Sequence, residues 1–264
     1  KLAEGLAVGV TAHHDVMIHG NVFDILLEMN KREAFKDARV RAAYFINHHQ
    51  YYDDKETVLK NLDRWKSLSE NSTEHFIVGD SVKLGIDGVS PNHTAFLTQP
   101  YSDDPTGTDY GVASYEAADF NELCQHIDSM KMQICTHGVG DAGITRIIDG
   151  YASALQKNGK WDSRHSIEHC SMASDKDVKR MKKLNIFASM QPTHYHGDHS
   201  IVKALGKDRF LKMHPIGTLQ RAKINMAFGT DYSIVPMNPL YGILIATTRI
   251  SCLGWPTTKT EKKE

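Results

Sequence analysis

Lys83, His137, His169 and Asp231 each close a short β-rich run: SVKLGIDG, QICTHGVGD, HSIEHC and NMAFGTDYS. Imidazole nitrogen and carboxylate oxygen are donors that zinc and related divalent ions accept, and a hydrolytic site keeps one coordination position for water. Coordination lowers the pKa of that water to about 7, and a neighbouring carboxylate can take its proton and pass it to a leaving amine. Asp231, after the last run, suits that role. Lys83 is a poor ligand as an ammonium, but carbamylated by carbon dioxide it would present a carboxylate able to bridge two metals. Taken singly, each residue has a plainer reading: a hydrogen-bonded histidine, a salt-bridged lysine, a turn-shaping aspartate. Together they would converge if their strands ring the mouth of a (β/α) barrel. The HYHGDH run after IFASMQ adds His194, read as a mouth residue near the substrate, and His196 and His199, which suit either a ligand or a solvent-facing role. His13 and His14 end the first strand, and one of them should face the barrel. His165 begins a strand, at the wrong end for catalysis, and is read as structural.

The elements that must position these groups follow from periodicity. Strands are expected at 10–16, 40–46, 82–86, 132–137, 165–169, 186–191 and 224–230, where β-branched and apolar residues form short runs between turn signals. Phe120, Leu123, Cys124 and Ile127 recur at helical spacing, as do Ile144, Ile147, Ile148, Tyr151 and Leu155. Ser174 and Asp177 have capping-box spacing before a helix through Met181. Strands alternating with helices predict an α/β fold with parallel pairing. Seven strands make an incomplete (β/α)8 barrel, whose first strand is expected upstream of Lys1. The alternative, an open doubly wound sheet, would want a GxGxxG turn, and HGVGD lacks the third glycine. The connection from Gly88 to Gly111 is long enough to act as a lid or binding loop over the mouth.

The 264 residues are 41% hydrophobic and 24% charged with a net charge of -1, which gives no electrostatic case for nucleic acid or an anionic membrane. No apolar run suits a bilayer span. Cys124, Cys135, Cys170 and Cys252 have no CxxC spacing, and alternation turns Cys135 with His137 but Cys170 away from His169. No disulfide between them is expected, which fits a reducing, cytoplasmic setting. The chain is read as a fragment of a longer polypeptide: residues 1–250 as the barrel domain, 251–264 as a polar tail or cut connection.

The succession GVTAHHD, VKLGIDGVSPNHTAFL, PYSDDP, THGVGDAGI, RHSIEHC, ASMQPTH and FGTDYSIVPMNPL resembles amidohydrolase family 3 of the amidohydrolase superfamily. The resemblance implies a metal-dependent hydrolase barrel, with a small β-sandwich built from segments before and after it that this sequence does not show. It implies that His137 and His169 are metal ligands and that Asp231 is both ligand and proton acceptor. Lys83 falls on the family's fourth-strand lysine, His194 on its QPxH histidine near the substrate, and Asp141 on its HxxGD aspartate beside the ligands. His93 and Gln191 are placed with Asp141 as substrate-binding or supporting residues. The superfamily's first-strand HxH pair has no counterpart ahead of GVTAHHD.

The expected activity is hydrolysis of a carbon–nitrogen bond in a small-molecule amide, formamide or cyclic amide, with one or two divalent ions, zinc first among them. A non-catalytic binding or regulatory barrel, or an inactive fragment, is the alternative; a lyase or isomerase using Lys83 as a Schiff-base amine would leave the histidines and Asp231 without a purpose. A barrel missing one strand has two open edges, which would favour pairing between chains as a homo-oligomer.

Overall fold

The computed structural model describes residues 1–18, 22–195 and 199–250. His196 and the 251–264 tail lie outside them. Among the described residues eight strands are present: β1 (Ala12–Ile18), β2 (Arg39–Phe45), β3 (Phe76–Ile77), β4 (Ser81–Gly85), β5 (Gln133–Gly138), β6 (Ser166–His169), β7 (Phe187–Met190) and β8 (Met226–Phe228). All seven expected strands are found, with ends shifted by a few residues. The eighth, β3, is two residues long and too short to show alternation.

The chain forms two compact units. In the first (Lys1–Gly85, Ala117–Thr136 and Gly150–His165), β1 lies parallel to β2, and β2 carries β3 and β4 in succession along its length. Val40 faces Phe76 and Tyr44 faces Val82, so β3 and β4 act as one interrupted strand. Gly79 makes the break, with φ of 73° and no room for a Cβ beside the Trp65 carbonyl and the Ser69 backbone. Trp65 donates its indole N–H to the Ser81 carbonyl at 2.9 Å and meets Phe23 edge-on, so one ring seals this core and satisfies a buried acceptor. Phe120, Leu123, Cys124 and Ile127 form the buried stripe of the helix Ala117–Ser129, as their spacing predicts.

The second unit comprises Ile86–Glu116, His137–Asp149 and Ser166–Glu264. Here β6, β7 and β8 pair in parallel in chain order. The helix Asp175–Leu184 begins with the expected capping box between Ser174 and Asp177. The long connection is no solvated insertion: Ala95, Leu97 and Tyr101 are buried in one cluster with Val139, Tyr195 and Phe210. Arg249, after the helix Pro239–Thr248, lies 4.0 Å over the Tyr195 ring and donates to the carbonyls of Leu211, Met213 and His214. The parallel strands with intervening helices are those of an incomplete (β/α) barrel. Cys124, Cys135 and Cys170 are buried free thiols. No helix among the described residues is long and apolar enough to cross a membrane.

Candidate metal centre

The site is built where strands of the second unit end. His169 is the last residue of β6, and Asp231 follows β8, its carbonyl accepting the Ile234 amide at 2.8 Å. His194 ends the short 3-10 turn Pro192–His194 that leaves β7, where Pro192 supplies a fixed φ at the first turn position. These three residues offer ligand atoms that all lie within 4.8 Å of one another. His194 Nε2 is 3.9 Å from Asp231 Oδ2, and the rings of His169 and His194 stack at 5.7 Å. His169 and Asp231 both hold left-handed backbone, with φ of 69° and 57°, and Cys170 continues it at 47°. Such a conformation costs most side chains about 1–2 kcal/mol.

His137 stands beside this cluster, its ring edge-on to His169 at 4.5 Å between centroids. Its Nε2 is 2.9 Å from the Gly88 carbonyl oxygen, which can only accept, so Nε2 carries a hydrogen in this bond. Fixing one ring nitrogen this way is how proteins orient a ligating histidine. Two imidazoles and a carboxylate, with a third imidazole alongside, suit a divalent ion of the zinc type in number and chemistry.

The remaining candidates are placed as follows. Lys83 is buried in the middle of β4, not at its end, and belongs to the first unit. Asp141 opens the helix Asp141–Asn158 and accepts the Thr98 amide at 2.9 Å and the Thr98 hydroxyl, which ties the long loop to the end of β5. Gln191 is buried next to β8, its Nε2 4.0 Å from where a Cβ on Gly229 would sit, and its Oε1 has no hydrogen-bond partner among the described residues. His93 is held within the loop: Nδ1 lies 2.7 Å from Asp109, Nε2 3.0 Å from Asp103, and the ring lies flat on Tyr101. His199 starts the helix His199–Leu205 and is exposed. On β1, His13 is the half-buried member of the pair and His14 the exposed one.

Asp87 escaped the sequence reading. Its side chain is fully buried, and its carboxyl accepts the backbone N–H groups of Val139 (3.1 Å), Gly140 (2.8 Å) and Phe96 (3.0 Å). Oδ1 also lies 3.7 Å from His137 Nε2. Burial pushes its pKa up to about 7; the three N–H donors pull the other way and the Asp141 charge adds to the rise. The available signal was IDG: an aspartate just past the end of a buried strand has to be satisfied by something.

A parallel α/β architecture with imidazole and carboxylate donors gathered after its strands defines the class of metal-dependent barrel hydrolases. The chain belongs to the amidohydrolase family, whose model matches residues 8–258. It is 31% identical over 171 residues to the protein LONG AFTER FAR-RED 3 of Arabidopsis thaliana, covering 64% of this chain and 29% of that protein. It is 28% identical over 191 residues to YtcJ of Bacillus subtilis (strain 168), covering 72% of this chain and 35% of that one. A crystal structure of an uncharacterized metal-dependent hydrolase from Pyrococcus furiosus superposes with a TM-score of 0.73 at 23% identity, over 98% of this chain and 50% of that one. The chain thus spans about a third of the length of these curated relatives and half of that solved structure.

Proposed function

We propose that the protein containing this chain hydrolyses a carbon–nitrogen bond of a small-molecule amide, formamide or cyclic amide with the help of a divalent ion, most simply zinc. The observation that carries the reading is the convergence of His169, His194 and Asp231 within 4.8 Å after three different strands. His169, Asp231 and His137 through Nδ1 would hold the ion. When bound, the ion would polarise the scissile carbonyl and lower the pKa of water to about 7.

Asp231 supplies the proton chemistry. Its Oδ2 takes a proton from the attacking water and returns it to the departing nitrogen, so the carboxylate ends the cycle as it began. His194 Nε2, 3.9 Å from that oxygen, is placed to donate to the substrate oxygen as charge develops there. Gln191 Oε1 offers a buried acceptor for a substrate N–H. In favour of a hydrolase are the family and the donor set; the bond type rests on the fit of a carboxylate proton carrier to an amine leaving group.

The test is a panel of N-acyl, N-formyl and cyclic amides with zinc-loaded protein. Asp231→Asn should lower kcat by about 10²–10⁴ while circular dichroism stays unchanged. Undiminished turnover in that variant would remove Asp231 from the mechanism.

A further inference from the structure

The reaction above leaves Asp87 without a part, yet its carboxyl is a junction. Through three backbone N–H groups it joins the turn after β4 to the turn after β5 (Val139, Gly140) and to the long loop at Phe96. Two glycines leave room for this close packing. A Cβ on Gly140 would collide with the Phe96 carbonyl oxygen, and one on Gly143 would stand 2.7 Å from Asp87 Oδ2. Gly88, the next residue, presents the carbonyl that takes the His137 Nε2 hydrogen, and Asp87 Oδ1 lies behind that nitrogen at 3.7 Å. Displacing Asp87 therefore displaces both groups that orient the His137 ring. A clamp on the loop alone would need only the amides of Phe96, Val139 and Gly140; the same carboxyl also stands against the His137 ring.

We infer that Asp87 is a positioning residue: one carboxyl sets the orientation of the His137 ring and anchors the 88–111 loop to it, so that ligand and loop move as one piece. The inference rests on the metal-site reading above. The alternative is a carboxyl that merely staples the loop.

Cobalt(II) added to metal-free full-length chain separates them, because its visible absorption reports ligand geometry and its titration reports affinity. Asp87→Asn should weaken cobalt binding by about 10–100-fold and shift the visible bands, with far-ultraviolet circular dichroism unchanged. Equal affinity and identical bands would overturn the inference. Gly143→Ala keeps the carboxyl but presses on Oδ2, and carries the test if Asp87→Asn does not fold: a band shift supports positioning, and an unchanged spectrum counts against it. His169→Ala keeps the two ideas apart. If wild type and His169→Ala give the same absence of cobalt bands, the metal reading fails and the inference falls with it. If only His169→Ala loses them and the Asp87 and Gly143 variants match wild type, positioning alone is overturned.

Discussion

Two buried aspartates each meet a histidine in this protein, and they are used in opposite ways. Asp128 accepts from Trp161 Nε1 at 2.7 Å, Asn158 Nδ2 at 2.8 Å and His165 Nε2 at 2.9 Å. His165 in turn accepts the Ile134 amide through Nδ1 at 3.0 Å, so both ring nitrogens are used within the fold. Burial alone would push the Asp128 carboxyl up, but the hydrogen bonds from His165, Asn158 and Trp161 outweigh it and hold the group below the usual aspartate range. Asp87 is fed by backbone N–H groups, stands 3.7 Å from its histidine, and is pushed up to about 7. His165, just ahead of β6, is a brace between Asp128 and Ile134, whereas His137, near the end of β5, is oriented by the Gly88 carbonyl and stands beside His169. Residue type does not separate structure from chemistry here; the kind of partner supplied by the fold does.

The sharpest way to break this contrast is to remove each histidine. His165→Ala should cost about 3–5 kcal/mol of stability, because it strips a partner from a buried carboxylate. His137→Ala should cost less in the absence of metal, about 0.5–1.5 kcal/mol for the lost hydrogen bond to Gly88, and should instead lose metal uptake. Urea denaturation of the two variants decides it, and equal losses would erase the distinction.

Acid is a gentler probe. The depressed Asp128 carboxyl contributes stability that is complete above the unfolded pKa of about 3.9 and is lost as pH falls through its lower folded value. Stability should therefore drop below about pH 4, and Asp128→Asn should flatten that part of the curve while lowering stability above it. The smallest effect is expected at the loop anchor. Thr98→Val keeps the backbone bond to Asp141 but removes the hydroxyl donor, and should cost about 0.5–1.5 kcal/mol in thermal unfolding.

Much of the fold was legible because it is carried by local pattern. The buried stripe of the helix Ala117–Ser129 and the capping box at Ser174 lie within a few turns of chain, where spacing alone is informative. The two-residue strand Phe76–Ile77 was not, because its place depends on β2 rather than on its own residues. The long loop was legible as a loop but not as core: burial of Leu97 and Tyr101 comes from contacts with residues about 100 positions later. In the site, strand-end histidines announce themselves, but Asp87 is defined by amide groups of Phe96, Val139 and Gly140, and backbone donors leave no mark in a sequence.

The left-handed backbone at His169 and Asp231 also restricts how this site can change. Asparagine, aspartate, histidine and glycine enter that region far more readily than β-branched or bulky residues. Saturation libraries at the two positions should therefore yield folded protein from a narrow, mostly polar set of replacements. Most of that set can coordinate or hydrogen-bond, so single-step drift at these positions stays within chemistry related to the present donors, and loss of the centre passes most readily through glycine or asparagine.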